Sequence, residues 1–249
     1  MKKFSCGMVA AWIAVLMLSS CAVDTTKSIL QDSDGYLGRE FVPSALPSSV
    51  RNIFLSSGKD LNFKKILFKR KATVNELGAK MEWSSDVVYE NAGSGLIRSK
   101  DILYINDIES REELGLSYRG VFILMSQIVR PNGKGAPFMS STKSIEQIDL
   151  SFDKPIANEA FTWRSSAPRT NAIAMNMSCT FTSAYPAATV VPGARGMGRQ
   201  YSCHLINSNG VATAEQDFLY LVDYGVAIMK SGKNNYGYIH WTYTDFKLE

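Results

Sequence analysis

The 249-residue chain holds two histidines and four cysteines. No CxxC or HExxH occurs, so no metal-binding set is expected and no cofactor is implied. A GxSxG elbow, a Walker loop and a dinucleotide fingerprint are missing as well. A triad scattered along the chain would leave no local signature, and no residue is singled out as catalytic: the expectation is a protein that is not an enzyme. Blocks of like charge are missing. The longest basic run is "KRK" at 69–71, far short of the footprint of a duplex nucleic-acid binder. Beyond residue 20 no stretch approaches the ~18 apolar residues needed to cross a bilayer. A sustained 3.6-residue period is scarce too, which argues against a helical fold.

What the chain does have begins at its start. Met1-Lys2-Lys3 is basic, and "MVAAWIAVLML" (8–18) is eleven apolar residues long. As a helix it would span about 16 Å at ~1.5 Å per residue, against a bilayer core of roughly 30 Å. A basic start and a short apolar stretch mark a secretory signal. "LSSC" (18–21) follows. It resembles the lipobox of bacterial lipoproteins, a resemblance confined to residues 1–21. It implies cleavage before Cys21, a diacylglyceryl group on the Cys21 thiol, and a further acyl chain such as palmitate on the new amino end. Two or more chains anchor a protein stably where one does not. The alternative is an ordinary signal cut near Ser20. Ala22 stands where Asp would retain such a protein in the inner membrane, so the resemblance implies an outer-membrane lipoprotein facing the periplasm. With a single membrane, the same motif implies its outer face.

Removing residues 1–20 leaves 25 basic against 23 acidic side chains, a net charge of +2. Of the four cysteines, Cys6 leaves with the signal and Cys21 takes lipid. Cys179 and Cys203 remain as a pair in an oxidising compartment. "MNMSCTFTSAY" and "MGRQYSCHLIN" read as adjacent antiparallel strands, which would set the two cysteines opposite each other. A disulfide closing that loop of about 25 residues contributes ~3.5 kcal/mol in the chain-entropy model.

Residues 21–49 are polar and mixed, and read as a lipidated tether, at most partly docked. A short helix over 50–57, capped by Ser48 or Ser49, opens the domain that runs over 50–249. Strand signals dominate from there, at 62–70, 80–91, 96–107, 116–130, 144–153, 159–166, 175–185, 197–207, 217–230 and 236–249. The stretch 116–130 is long enough to require a bend at Gly120. "DIESREELGL" (107–116) is the one partial rival with a helical turn. Ten or so strands without helices between them argue an all-β antiparallel fold. A sandwich and a strongly curved, partly closed sheet both fit. Residues 130–144, polar with two prolines, are the candidate internal boundary. A single domain is the preferred reading.

Three stretches carry binding chemistry. "VPGARGMGRQ" (191–200) frees the backbone at Gly193, Gly196 and Gly198 and offers Arg195 and Arg199 to an anion or a partner. The simpler reading is a flexible hairpin tip. "YGYIHWTY" (236–243) places Tyr236, Tyr238 and His240 on one face and Ile239, Trp241 and Tyr243 on the other; such aromatics can stack sugars or bind a partner, and more simply are core on one side and a half-exposed cross-strand ladder on the other. "GVFILMSQIV" (120–129) is apolar on both faces, as in a central strand or a cavity wall. Asp217 and Asp223 form the carboxylate pair closest to a glycosidase pattern, and read more simply as solvated rim residues. Two functions follow: a non-catalytic interaction module for envelope assembly, with envelope proteins or lipid as partners, or a carrier for a hydrophobic ligand within a curved sheet. A packed interior favours the first, an apolar pocket open to solvent the second.

Overall fold

The structure is a computed structural model describing residues 25–57, 60–76, 79–133, 137–148, 159–166, 173–207, 209–234 and 237–249. The signal segment and Cys21 lie outside the described residues. So do Tyr236 and residues 149–153 of the strand expected over 144–153.

Three helices come first: α1 (Thr26–Gln31), α2 (Ser33–Glu40) and α3 (Ser48–Ser57). Thr25 caps α1 in a reciprocal pair with Ser28, and the Asp32 carboxylate caps α2 by accepting from the Gly35 N–H at 3.0 Å. Such caps satisfy amide donors that a short helix leaves open. Among the described residues thirteen strands follow: β1 (Lys65–Glu76), β2 (Ala79–Gly93), β3 (Leu96–Ile105), β4 (Ile108–Tyr118), β5 (Phe122–Val129), β6 (Met139–Gln147), β7 (Glu159–Ser166), β8 (Ile173–Pro186), β9 (Met197–Asn207), β10 (Ala212–Leu221), β11 (Val226–Asn234), β12 (Gly237–His240) and β13 (Thr242–Leu248). Each of β1 to β11 pairs antiparallel with the next, and β13 returns to the outer side of β1. The free end of β12 also meets β1, through Asn75–Tyr238 and Glu76–Gly237. The all-β fold is therefore a strongly curved, partly closed sheet rather than a sandwich. The described part of 130–144 joins neighbouring strands β5 and β6 of this one sheet.

Three sequence expectations change. Residues 25–49 belong to the folded domain rather than to a tether: Ile29, Leu37, Phe41 and Leu46 are buried, Phe41 completely. Two helices of six and eight residues leave too little sequence for a period to show. Gly120 does not bend one long strand. Arg119 and Gly120, with φ of 49° and 78°, form the tight turn between β4 and β5, a geometry that suits hairpins. The helical rival at 107–116 is strand β4, its turn supplied by Asn106 and Asp107 at positive φ.

Alternation along β4 divides the interior. Leu114, Leu116 and Tyr118 face outward, under Val50, Phe54 and the other helical residues of one core cluster. Burying each such side chain contributes about 1.5–3 kcal/mol. Glu113, Gly115 and Ser117 face inward, into the curl. A second cluster gathers Ile66, Phe68, Leu219, Val226, Trp241 and Tyr243 at the seam of the sheet.

The meander has two ends. The turns after β2, β4, β8 and β10 lie at one, and those after β1, β3, β5, β9 and β11 at the other. The first is sealed. The Ala227 N–H donates to the Arg119 carbonyl at 2.8 Å. Arg119 is buried and donates to the hydroxyls of Tyr118 (3.2 Å) and Tyr220 (2.9 Å) and to the Gly225 carbonyl (2.9 Å).

Candidate functional site

The inward row of β1 is Ile66, Phe68, Arg70, Ala72 and Val74, an apolar row with one charge in it. Arg70 is buried. Its guanidinium forms an ion pair with Asp101 of β3, donates to the Ser85 hydroxyl of β2 at 3.3 Å, and stacks 4.0 Å over the Trp241 ring. The Ser85 hydroxyl donates to the same carboxylate. Burial alone would lower the Arg70 pKa; the charge of Asp101, helped by Tyr243 and Tyr89, outweighs it and raises it. Burial raises the phenol pKa of Tyr89 and of Tyr243, opposed in each by Arg70. The cluster is thus a fixed cation and two neutral phenols at any physiological pH. A buried pair of this kind is held by its hydrogen bonds and is costly to break from one side.

This cluster borders the space inside the curl. A cavity of about 190 Å³ is lined by Arg70, Asp101, Tyr89, Ser99, Gln216 and Met229, among others. A second, of about 270 Å³, lies toward the unsealed end among Val74, Trp83, Lys233, Tyr238 and Ile239. A third, of about 210 Å³, lies toward β5 and β6 among Ile123, Ser126, Thr142 and Met177. They adjoin: Gln216 borders all three, Met229 the first two, and Ser126 the first and third. Their size matches sites for small organic ligands once adjoining volumes are taken together. The walls are mostly apolar, with a few convergent polar groups. The indole N–H of Trp83, at the outer cavity, and that of Trp241 are buried without an acceptor among the described residues. Buried donors normally find partners, so the site has hydrogen-bonding capacity to spare.

The residues singled out in the sequence fall elsewhere or play other parts. Cys179 and Cys203 pair across β8 and β9 and form a disulfide buried in the core. The tip at 191–200 is packed, not loose. Val191 and Ala194 are buried against the seam cluster, a β-carbon on Gly193 would sit 3.8 Å from the Phe246 ring, and one on Gly196 would sit 2.1 Å from the Asp223 carboxylate. Its glycines allow close approach rather than looseness. Arg195 is exposed there and its backbone N–H donates to the Tyr224 hydroxyl at 3.0 Å. Arg199 is half-buried in β9, opposite Ala184 and Tyr220. Of the two faces of 236–243, the one with Trp241 and Tyr243 is core, with Ile239 half-buried beside them, and Tyr238 and His240 on the other are exposed.

Asp217 accepts from the Ser231 hydroxyl at 2.6 Å, while Asp223 lies beyond the end of β10 at Leu221, in the turn to β11; the extended run from Asp217 to Leu221 alone spans roughly 13 Å at ~3.3 Å per residue. That separation exceeds what two glycosidase carboxylates tolerate. His204 faces outward, 4.0 Å from Glu215. Among the described residues no group of three or more His, Cys, Asp or Glu side chains is placed to hold a metal. The Arg70–Asp101 pair was not recognised in the sequence. Its signal was there: a charge in the inward register of an otherwise apolar row.

No family model matches the chain, and no curated protein does. Among solved structures it is similar to a DUF1329 family protein from Desulfovibrio piger, at 8% identity over 76% of this chain and 87% of that one, with a TM-score of 0.42. It is also similar to a β-barrel-like protein of the domain of unknown function DUF1849 from Brucella abortus, at 6% identity over 76% of this chain and 99% of that one, with a TM-score of 0.41.

Proposed function

We propose that the protein is a lipid-anchored envelope module that binds an amphipathic ligand, without catalysis, inside its curved sheet. The observation that carries this reading is the string of adjoining cavities centred on Gln216, apolar in its walls and polar at Arg70, Asp101 and Trp83. A ligand with an apolar body and a hydrogen-bond-accepting head fits that distribution. Of the two functions raised by the sequence, an interior with such space favours the carrier over an assembly module with a packed core. Attachment through Cys21, on the outer membrane and facing the periplasm, rests on the lipobox.

The binding test uses a fluorescent long-chain fatty acid titrated into the protein. Saturable binding at one site per chain is expected, with at least a tenfold loss in Gln216→Trp, which fills the shared wall. Ser126→Phe, on the opposite wall, is the second blocking variant should Gln216→Trp unfold. Unsaturable binding, or equal binding by a folded blocking variant, ends the reading. The anchor is tested separately. Fatty-acid labelling of cells should mark the wild type and not Cys21→Ser; persistent labelling of that variant removes the anchor assignment.

A further inference from the structure

We infer that the unsealed end of the curled sheet rests on the bilayer that holds the anchor, so that the ligand cavities face membrane lipid. This inference rests on the lipidation of Cys21 proposed above.

The first observation is where the chain leaves the domain. Thr26 lies at the unsealed end: a β-carbon on Gly133, in the turn after β5, would sit 3.4 Å from its hydroxyl. Only Ala22, Val23 and Asp24 separate Cys21 from the capping Thr25. Four residue steps reach at most about 14 Å at ~3.3–3.6 Å each. A domain held so closely cannot turn its far end to the membrane without swinging the unsealed end away.

The second observation is the distribution of exposed apolar side chains. Ile108, Ile128, Phe138, Val211 and Tyr238 are all exposed, Ile108 by 73% and Val211 by 58%. Each lies in or next to a turn of the unsealed end. At the sealed end the exposed large apolar residues among those described are Ile123, just after the β4–β5 turn, Met197 and Leu248, with Leu55 on the outer side of α3, and they are spread around that end rather than gathered at one rim. Clustered exposed apolar residues mark an interaction surface.

The third observation joins that surface to the cavities. A groove of about 380 Å³ runs between Thr26, Ile128, Arg130 and Phe138. Ser126 and Ser140 border both this groove and the cavity beside Ile123. The outer cavity opens at Tyr238 and Lys233 of the same end. A ligand would pass between bilayer and interior without crossing the full aqueous gap.

Charge has little part in this. Arg130, Lys80 and Lys233 share the rim with Asp107, Glu109 and Glu215, all exposed. The contact is therefore apolar and resists salt, unlike a polybasic one. Arg195 lies at the opposite end, so any anion or partner it meets is not the anchoring bilayer.

The test uses the full lipidated protein in vesicles of phosphatidylethanolamine and phosphatidylglycerol. Single variants Phe138→Cys and Val211→Cys at one end, and Met197→Cys and Leu248→Cys at the other, carry an environment-sensitive thiol fluorophore. Nitroxide-bearing lipid should quench the first pair several-fold more than the second, with no loss at high salt. Equal quenching at both ends, or stronger quenching at Met197 and Leu248, overturns the inference while leaving the anchor and the binding site intact. Protection of Phe138 and Val211 from both lipid-borne and water-soluble quenchers means that a protein covers this end, and overturns it too. An unlabelled Cys21 in the fatty-acid experiment overturns anchor and inference together, whereas failed ligand titration overturns only the binding site.

Discussion

Arg119 and Arg70 are both buried, and they finish the two halves of the same sheet in different ways. Toward the sealed end, Arg119 is bound by Tyr118, Tyr220 and Gly225, with the Phe54 ring of α3 packed at a tilt 4.9 Å from the Tyr118 ring. Main-chain and side-chain groups there are spent on one another. At mid-strand, Arg70 is equally fixed but borders a cavity, and the donors of Trp83 and Trp241 are left over. A region that closes on itself gives stability; one that leaves space and unused donors gives a place for a ligand.

The largest expected effect breaks the seal. A β-carbon at Gly120 would lie 2.3 Å from the Ala227 carbonyl, on backbone with φ of 78°. Gly120→Ala should cost about 3 kcal/mol or more in urea unfolding. Phe138→Ser at the other end should cost less than about 0.5 kcal/mol. Similar costs would erase the contrast between the ends.

Next comes the cavity wall. Asp101→Asn leaves the Arg70 charge buried without its counter-ion and should destabilise by about 2–3 kcal/mol. The double change Arg70→Met, Asp101→Leu should recover most of that loss, because neither charge then needs a partner. A double variant as unstable as Asp101→Asn would show that packing around Trp241, not charge, governs this site.

A smaller effect sits under the helices. Glu112 is buried beneath α2 with one carboxylate oxygen unpaired. Burial raises its pKa, opposed by a hydrogen bond with Ser33 and by Lys100. A folded-state pKa above the unfolded one means that the protonated form stabilises the fold. That contribution is full below the ordinary glutamate pKa and is lost as pH rises through the folded value. Glu112→Gln should therefore raise the melting temperature at neutral pH, and the gain should vanish near about pH 4. A gain that persists in acid would exclude ionisation as its cause.

The smallest effect tests the tip. Arg195→Ala should change unfolding free energy by less than about 0.5 kcal/mol and leave vesicle association unaltered. Weaker association would place the sealed end, not the unsealed one, on the membrane.

Strand content was legible because alternation is local. The two faces of 236–243 were legible, and Trp241 and Tyr243 are buried while Tyr238 and His240 are exposed; the register of "MNMSCTFTSAY" with "MGRQYSCHLIN" set Cys179 opposite Cys203. The helices over 26–40 were not legible, since Thr25 and Asp32 start elements too short to repeat a pattern. Gly193, Gly196 and Gly198 were read as looseness. The same absence of side chains permits close packing, and sequence does not say whether Phe246, Asp223 or Leu219 will fill the space.

By itself the sequence determined an all-β chain, the partnership of two cysteines and a lipobox-like start, because alternation, pairing and short motifs are properties of neighbouring residues. Only the tertiary structure decided that the sheet curls until β12 meets β1, that Arg70 finds Asp101 thirty-one residues away, and that one end is sealed while the other stays open. Each depends on strand register summed around thirteen strands. A shift of one residue in β1 would turn Arg70 outward, and one in β10 would turn Gln216 away from the cavities it borders.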